Sequence, residues 1–174
     1  TYEMVKERFP DRTNFIPHAV PEDVYKPASP SDVLRVKTQL LGAEKLDHFV
    51  AVYVSRNARR KMPSDLLLSW KMFLDKLEET HGHRKATLIM HTDPHDQEGP
   101  NLLHVVDLFK LHGNVLFSNE RTGFQEMSSL YNVADVVVNR SSNEGFGLST
   151  LEGMYCGKPM IAIKTGGLTR QVIN

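Results

Sequence analysis

From residue 48 onward the chain alternates between two kinds of segment. Short runs rich in Val, Ile and Leu fall at 48–55, 85–92, 114–118, 135–139 and 159–164, with no polar alternation inside them. Between and after them, at 63–82, 101–113, 122–134, 148–157 and from 166, stand segments that read as helices. Two parallel strands need a crossover that brings the chain back, and a helix is its usual form. Unalternating apolar runs fit strands covered on both sides. The pattern predicts an α/β fold: a Rossmann-like parallel sheet of five strands with helices on both faces. Ligands in such sheets lie beyond the carboxyl ends of the strands, so the loops after the strands carry the functional question.

Local signals place the helices. Pro63 or Ser64 opens one that Gly82 closes, with Leu67, Trp70, Leu74 and Leu77 on its stripe. The next has Leu103, Val106 and Phe109 at helical spacing. Upstream, Ser31 is the expected N-cap of a helix that ends near Gly42. Pro10, Pro17, Pro21, Pro27 and Pro30 predict an irregular start, with one short strand over Asn14–Val20. The reading is therefore a lead-in segment at 1–30 and a domain at 31–174.

Charge narrows the partners. Lys plus Arg and Asp plus Glu are both 21, a formal net charge of zero, which argues against nucleic acid as the main partner. A single cysteine, Cys156, excludes an intrachain disulfide and suits a reducing, cytoplasmic setting. No apolar run reaches bilayer length. The first residue is Thr1, as expected of a fragment.

Four loops bear on chemistry. After the first strand, "SRNARRKMP" holds Arg56, Arg59, Arg60 and Lys61, an anion site or a solvated charge run. After the second, His91, Asp93, His95 and Asp96 have metal-ligand chemistry, but Pro94 and the loop setting give no helical face to align them, so a polar loop brushing a ligand is preferred. After the fourth comes "RSSNEGFGLSTLE". Gly145 and Gly147 permit close backbone approach, and a helix starting near Leu148 aims its free N–H groups into the loop. Glu144 and Glu152 bracket that turn; each is also readable as a solvated acid or a helix-end carboxylate. After the fifth, Gly166 and Gly167 offer a second backbone nest. Cations, glycine turns and carboxylates along one sheet edge suit a sugar diphosphate.

These residues resemble the C-terminal, donor-binding domain of GT-B glycosyltransferases of family four, the retaining, metal-independent glycosyl transferases of group 1. The Glu-seven residues-Glu pattern stands as "EGFGLSTLE", the Arg and Lys five positions apart as Arg56 and Lys61, and the linker segment as "FIPHAV". "SLYNVADVVVN" and "GKPMIAIKTGG" match the flanking segments. The resemblance implies that Arg56 and Lys61 bind the donor diphosphate and neutralise the leaving group. It places Glu144 by the donor sugar hydroxyls, the backbone of Phe146 and Gly147 along the sugar, the N–H groups of Leu148 and Ser149 on the distal phosphate, and Glu152 on the ribose. It implies a UDP- or GDP-sugar donor, no cofactor and no metal. It also implies a carbohydrate or lipid-linked acceptor held by an N-terminal domain outside this chain, with a membrane surface as one setting for the full-length enzyme.

Several positions depart from the family pattern: Ala19, Ser55, Met62 and Arg140, and Arg170 where the family has Glu. None is a named site residue. No Asp-x-Asp occurs in a loop, and no G-x-G-x-x-G follows the first strand. A nucleotide-binding module without chemistry of its own, and a sugar-nucleotide epimerase of the same fold, are the alternatives.

Overall fold

A computed structural model describes residues 2–172 of the 174. Five strands, β1 (Phe49–Val54), β2 (Ala86–His91), β3 (Val115–Ser118), β4 (Val136–Asn139) and β5 (Met160–Ala162), form one sheet in the order β3-β2-β1-β4-β5. Every pairing is parallel, with Val52 opposite Ile89 on one side of β1 and Val137 on the other. Among the described residues the helices are α1 (Tyr2–Arg8), α2 (Pro30–Leu41), α3 (Pro63–His81), α4 (Leu102–Phe109), α5 (Phe124–Asn132), α6 (Leu148–Tyr155) and α7 (Leu168–Gln171). None of them is long and apolar enough to cross a membrane.

The central strands β1, β2 and β4 are mainly apolar because helices cover both of their faces. Ala51 and Tyr53 of β1, with Leu88 and Met90 of β2, pack under Leu67, Trp70 and Leu74 of α3 and Leu102 and Val106 of α4. Val50, Val52, Ile89 and Val137 face the other way, onto Leu41 of α2, Met127, Leu130 and Tyr131 of α5, Tyr25 and Cys156. The helices thus divide into two layers, as the alternation predicts. Pro63 opens α3, and Gly82 closes it in the left-handed region at φ 72°.

Four expectations need correction. The N-cap of α2 is Ser29, whose hydroxyl accepts from the Asp32 N–H, and Pro30 takes the first helical position; Ser31 lies inside the first turn. The buried stripe of α4 runs through Leu102 and Val106, one turn apart, while Leu103 is 38% exposed. Residues 14–20 form no strand: Pro17 lacks a donor, and no described sheet edge pairs with this stretch. The first thirty residues are less irregular than their prolines suggest, since α1 and a 3-10 turn at Pro10–Arg12 precede them in part. The α1 helix buries no residue, so no apolar stripe marked it.

Candidate functional site

The loops after the two central neighbours, β1 and β4, are stitched together at the carboxyl edge of the sheet. The Arg60 carbonyl accepts both the N–H and the hydroxyl of Ser142, at 2.9 and 3.1 Å. The Arg60 guanidinium donates to the Asn143 carbonyl at 3.1 Å. Asn139, at the end of β4, donates from its side chain to the Thr150 hydroxyl of α6 and accepts from the Ser141 N–H, both at 3.1 Å. Tyr53 supports the β1 loop from below by donating to the Lys61 carbonyl, and burial pushes its pKa up to about 12.

This scaffold places Lys61 against Glu144. The Lys61 ammonium donates to Glu144 Oε2, and the two side chains are 11% and 10% exposed. Ser141 adds a hydroxyl donor to the same oxygen at 3.3 Å. Burial alone would raise the Glu144 carboxyl; the hydrogen bond and charge of Lys61, with help from Arg60 and Ser141, outweigh it and hold the group below its ordinary value. Glu144 is therefore a buried, ionised partner of Lys61 and not an acid in open water. The pair is separated by 83 residues in sequence, so spacing gives no hint of it.

The glycine turn rises directly from Glu144. Gly147 caps α6 at φ 92°, in the left-handed region. No acceptor among the described residues takes the N–H of Leu148 or Ser149, the first two positions of α6. Leu148 is exposed and Ser149 half-exposed, so the start of α6 lies at an accessible surface, with the positive end of the helix dipole there. The second glycine turn has a different task from the predicted nest. The Gly167 N–H donates to the Glu144 carbonyl at 2.9 Å, and a Cβ at Gly166 would lie 2.0 Å from that same oxygen. Gly166 and Gly167 are thus the backing on which the Glu144–Phe146 backbone rests, and the Gly167 donor is turned to protein.

The other predicted residues are placed as follows. Glu152, in the second turn of α6, accepts from the Tyr131 hydroxyl at 2.6 Å. Burial first, and the Glu152 charge next, raise Tyr131 well above its ordinary pKa. The ring of Phe146 meets His18 of the lead-in segment edge-on, with centroids 4.9 Å apart. Arg56 points elsewhere: its guanidinium is exposed and held by Asp96 at 2.6 Å and Glu98 at 3.2 Å, both on the loop after β2. Those contacts, the Asp96 hydrogen bond first, raise Arg56 and lower Asp96.

His91, Asp93, His95 and Asp96 do not converge. His91 shares a hydrogen bond with Ser118 at 3.0 Å, the Asp93 side chain accepts from the His95 N–H, and Asp96 is taken by Arg56. Among the described residues no group of three His, Cys, Asp or Glu could hold a metal ion. Sequence reasoning missed Ser141, Asn139 and Tyr131, which position the site. Ser141 and Asn139 are buried polar residues at a strand end, a signal that burial alone reveals. Tyr131 sits on a helical stripe and looks like ordinary core.

Comparison with known proteins matches this geometry to a family. The family "Glycosyl transferases group 1" matches residues 42–174. A D-inositol 3-phosphate glycosyltransferase of Salinispora tropica is 30% identical over 145 residues, covering 79% of this chain and 30% of that protein. HepE of Anabaena in complex with UDP and glucose superposes with TM-score 0.72 at 25% identity, covering 90% of this chain and 39% of that one. Sucrose-phosphate synthase of Thermosynechococcus elongatus gives TM-score 0.74 at 26% identity, covering 98% and 40%. The chain spans well under half the length of each of these relatives. Its fold is that of the GT-B glycosyltransferases, and the chain belongs to the glycosyl transferases group 1.

Proposed function

We propose that this chain is the donor-binding part of a glycosyltransferase that moves a sugar from a nucleoside diphosphate to an acceptor with retention and without a metal. The observation that carries the reading is the buried Lys61–Glu144 pair beneath a glycine turn whose following helix presents two N–H groups with no acceptor among the described residues. Lys61 and the start of α6 offer positive charge to a diphosphate, the task a metal performs in other transferases. On this reading Leu148 and Ser149 hold the distal phosphate, Phe146 and Gly147 line the sugar, and Glu152, oriented by Tyr131, takes the ribose. Arg56 joins the diphosphate by leaving Asp96 and Glu98.

Glu144 is bonded to Lys61 and Ser141, which suits a residue that orients sugar hydroxyls and not one that attacks carbon. Retention then proceeds by same-face attack assisted by the departing phosphate. Residues 1–30 act as linker and 31–174 as the nucleotide-sugar domain. The acceptor, carbohydrate or lipid-linked, is held by an N-terminal domain outside this chain, so the isolated chain binds donor without transferring it. HepE was solved with UDP, which favours a uridine nucleotide here. The setting is cytoplasmic, with Cys156 reduced.

Calorimetric titration with UDP, GDP and ADP, without and then with Mg²⁺, tests the reading. One nucleotide should bind selectively and equally well in both conditions. Strict dependence on Mg²⁺ contradicts the metal-free assignment, and no binding by the full-length protein contradicts the donor site itself.

A further inference from the structure

The ion pair that holds Arg56 has unequal halves. The Arg56 side chain is 60% exposed and the Asp96 side chain only 15%. All three nitrogens of the guanidinium are engaged: Nε donates to Asp96 Oδ2 at 2.6 Å, Nη2 donates to Asp96 Oδ1 at 3.2 Å, and Nη1 lies 3.2 Å from Glu98 Oε1. Asp96 is anchored from its own side. Its Oδ1 accepts the Glu98 N–H at 3.0 Å, and its carbonyl accepts the Gly99 N–H at 3.1 Å. The same loop is pinned to the loop after β1. The Glu98 carbonyl accepts the Arg59 N–H at 3.3 Å, and the Pro100 carbonyl accepts the side-chain N–H of buried Asn57 at 2.8 Å. Gly99 lies so close to Asn57 that a Cβ there would stand 2.0 Å from its amide oxygen. The carboxylate is thus the fixed half of the pair and the arginine the movable half.

Carboxylate and phosphate oxygens both match the guanidinium fork. Asp96 and a diphosphate therefore compete for one set of donors. A diphosphate gains Arg56 only by breaking the pair, so its measured affinity is reduced by the fraction of molecules in which the arm is free. Asp96 stays in place when the arm leaves, because the Glu98 N–H still holds it, and it draws the arm back when the phosphate departs.

We infer that Asp96, with Glu98 beside it, is a positioning residue that competes with the donor diphosphate for Arg56 and so sets the affinity of the site. The inference rests on the donor reading, and it adds the loop after β2 to the groups that tune nucleotide binding and release. Asp96 acts through Arg56 and touches no phosphate itself.

Calorimetry with UDP, GDP and ADP selects the nucleoside diphosphate, and ligand-observed NMR follows the matching nucleoside as a phosphate-free probe. Asp96→Asn keeps an acceptor for the Glu98 N–H and should raise diphosphate affinity about two- to fivefold, the range of an exposed ion pair, with the nucleoside unchanged. Asp96→Glu, which keeps the charge, should fall nearer the parent. In Arg56→Ala the gain from Asp96→Asn should vanish. An equal gain in that background would mean plain repulsion between Asp96 and the phosphates and overturns the competition; so does an absent gain, or one shared by the nucleoside. The Nε resonance of Arg56 gives a reading that needs no variant. It should shift on adding the diphosphate as carboxylate is exchanged for phosphate, and an unmoved resonance at saturation overturns the inference. Diphosphate binding that ignores both Asp96 and Arg56 leaves the donor site standing and removes the competition. No binding of any nucleotide by the full-length protein removes the donor reading, and the competition with it.

Discussion

Replacing Lys61 by Met removes one charge from a buried pair and keeps the length of the stem. Cutting one partner from a fully buried ion pair costs about 3–5 kcal/mol, because the other charge is left without compensation. Here each side chain keeps roughly a tenth of its exposure, and the Ser141 hydroxyl stays on Glu144. The expected loss at neutral pH is about 2–4 kcal/mol, or a fall of about 4–16 °C in Tm for a chain of this length. Glu144→Leu should cost a similar amount by stranding the ammonium. The double substitution should return to within about 1 kcal/mol of the parent, since a buried pair and its apolar replacement differ little. Urea unfolding followed by the fluorescence of Trp70, the only tryptophan, measures the cycle. The pH dependence supplies a second reading. In the parent the Glu144 pKa is depressed, so its stabilisation is complete above the unfolded value near ~4.3 and is lost as pH falls through the folded value. In Lys61→Met burial is opposed only by Arg60 and Ser141 and the carboxyl pKa rises, so acid relieves the penalty. The difference between parent and variant should therefore shrink from pH 7 towards pH 4. Additive single losses, within about 0.5 kcal/mol in the double, would refute the coupling.

Two further substitutions test the supports of the site. Gly166 sits at φ 48° with the Glu144 carbonyl 2.0 Å from where a Cβ would stand, so Gly166→Ala should cost about 2–4 kcal/mol in urea unfolding; a loss below about 1 kcal/mol would mean that the two backbones are not in contact. Tyr131→Phe removes the hydroxyl that donates to Glu152 at 2.6 Å and should lower stability by about 1–2 kcal/mol, and an unchanged thermal midpoint would show that the bond carries no weight.

Much of the fold was readable because it is local. Strand runs, the Pro63 and Gly82 ends of α3, and the order of strands and helices follow from neighbouring residues alone. The Glu-seven residues-Glu spacing and the Arg–Lys offset also each lie within one short stretch of chain. What escaped depends on distant parts of the chain. The Lys61–Glu144 pair, the Tyr131–Glu152 bond and the Gly167–Glu144 contact join segments that only the folded sheet brings together. The strand expected at 14–20 shows the reverse error: its residues have strand chemistry, but no described edge receives them. Arg56 belongs to the same class, since Asp96 and Glu98 reach it from another loop.

The strand order also governs how the chain is made. The first half of the sheet, β1 to β3, is complete by residue 118, but one side of β1 awaits β4 at Val136. During synthesis, which proceeds from the N-terminus, β1 therefore waits with its backbone donors and acceptors open on that side. The interval ends only when residues 136–139 emerge, and the glycines that brace Glu144 emerge later still. A ribosome-bound chain halted between β3 and β4 carries an adhesive edge where the finished protein has a buried central strand.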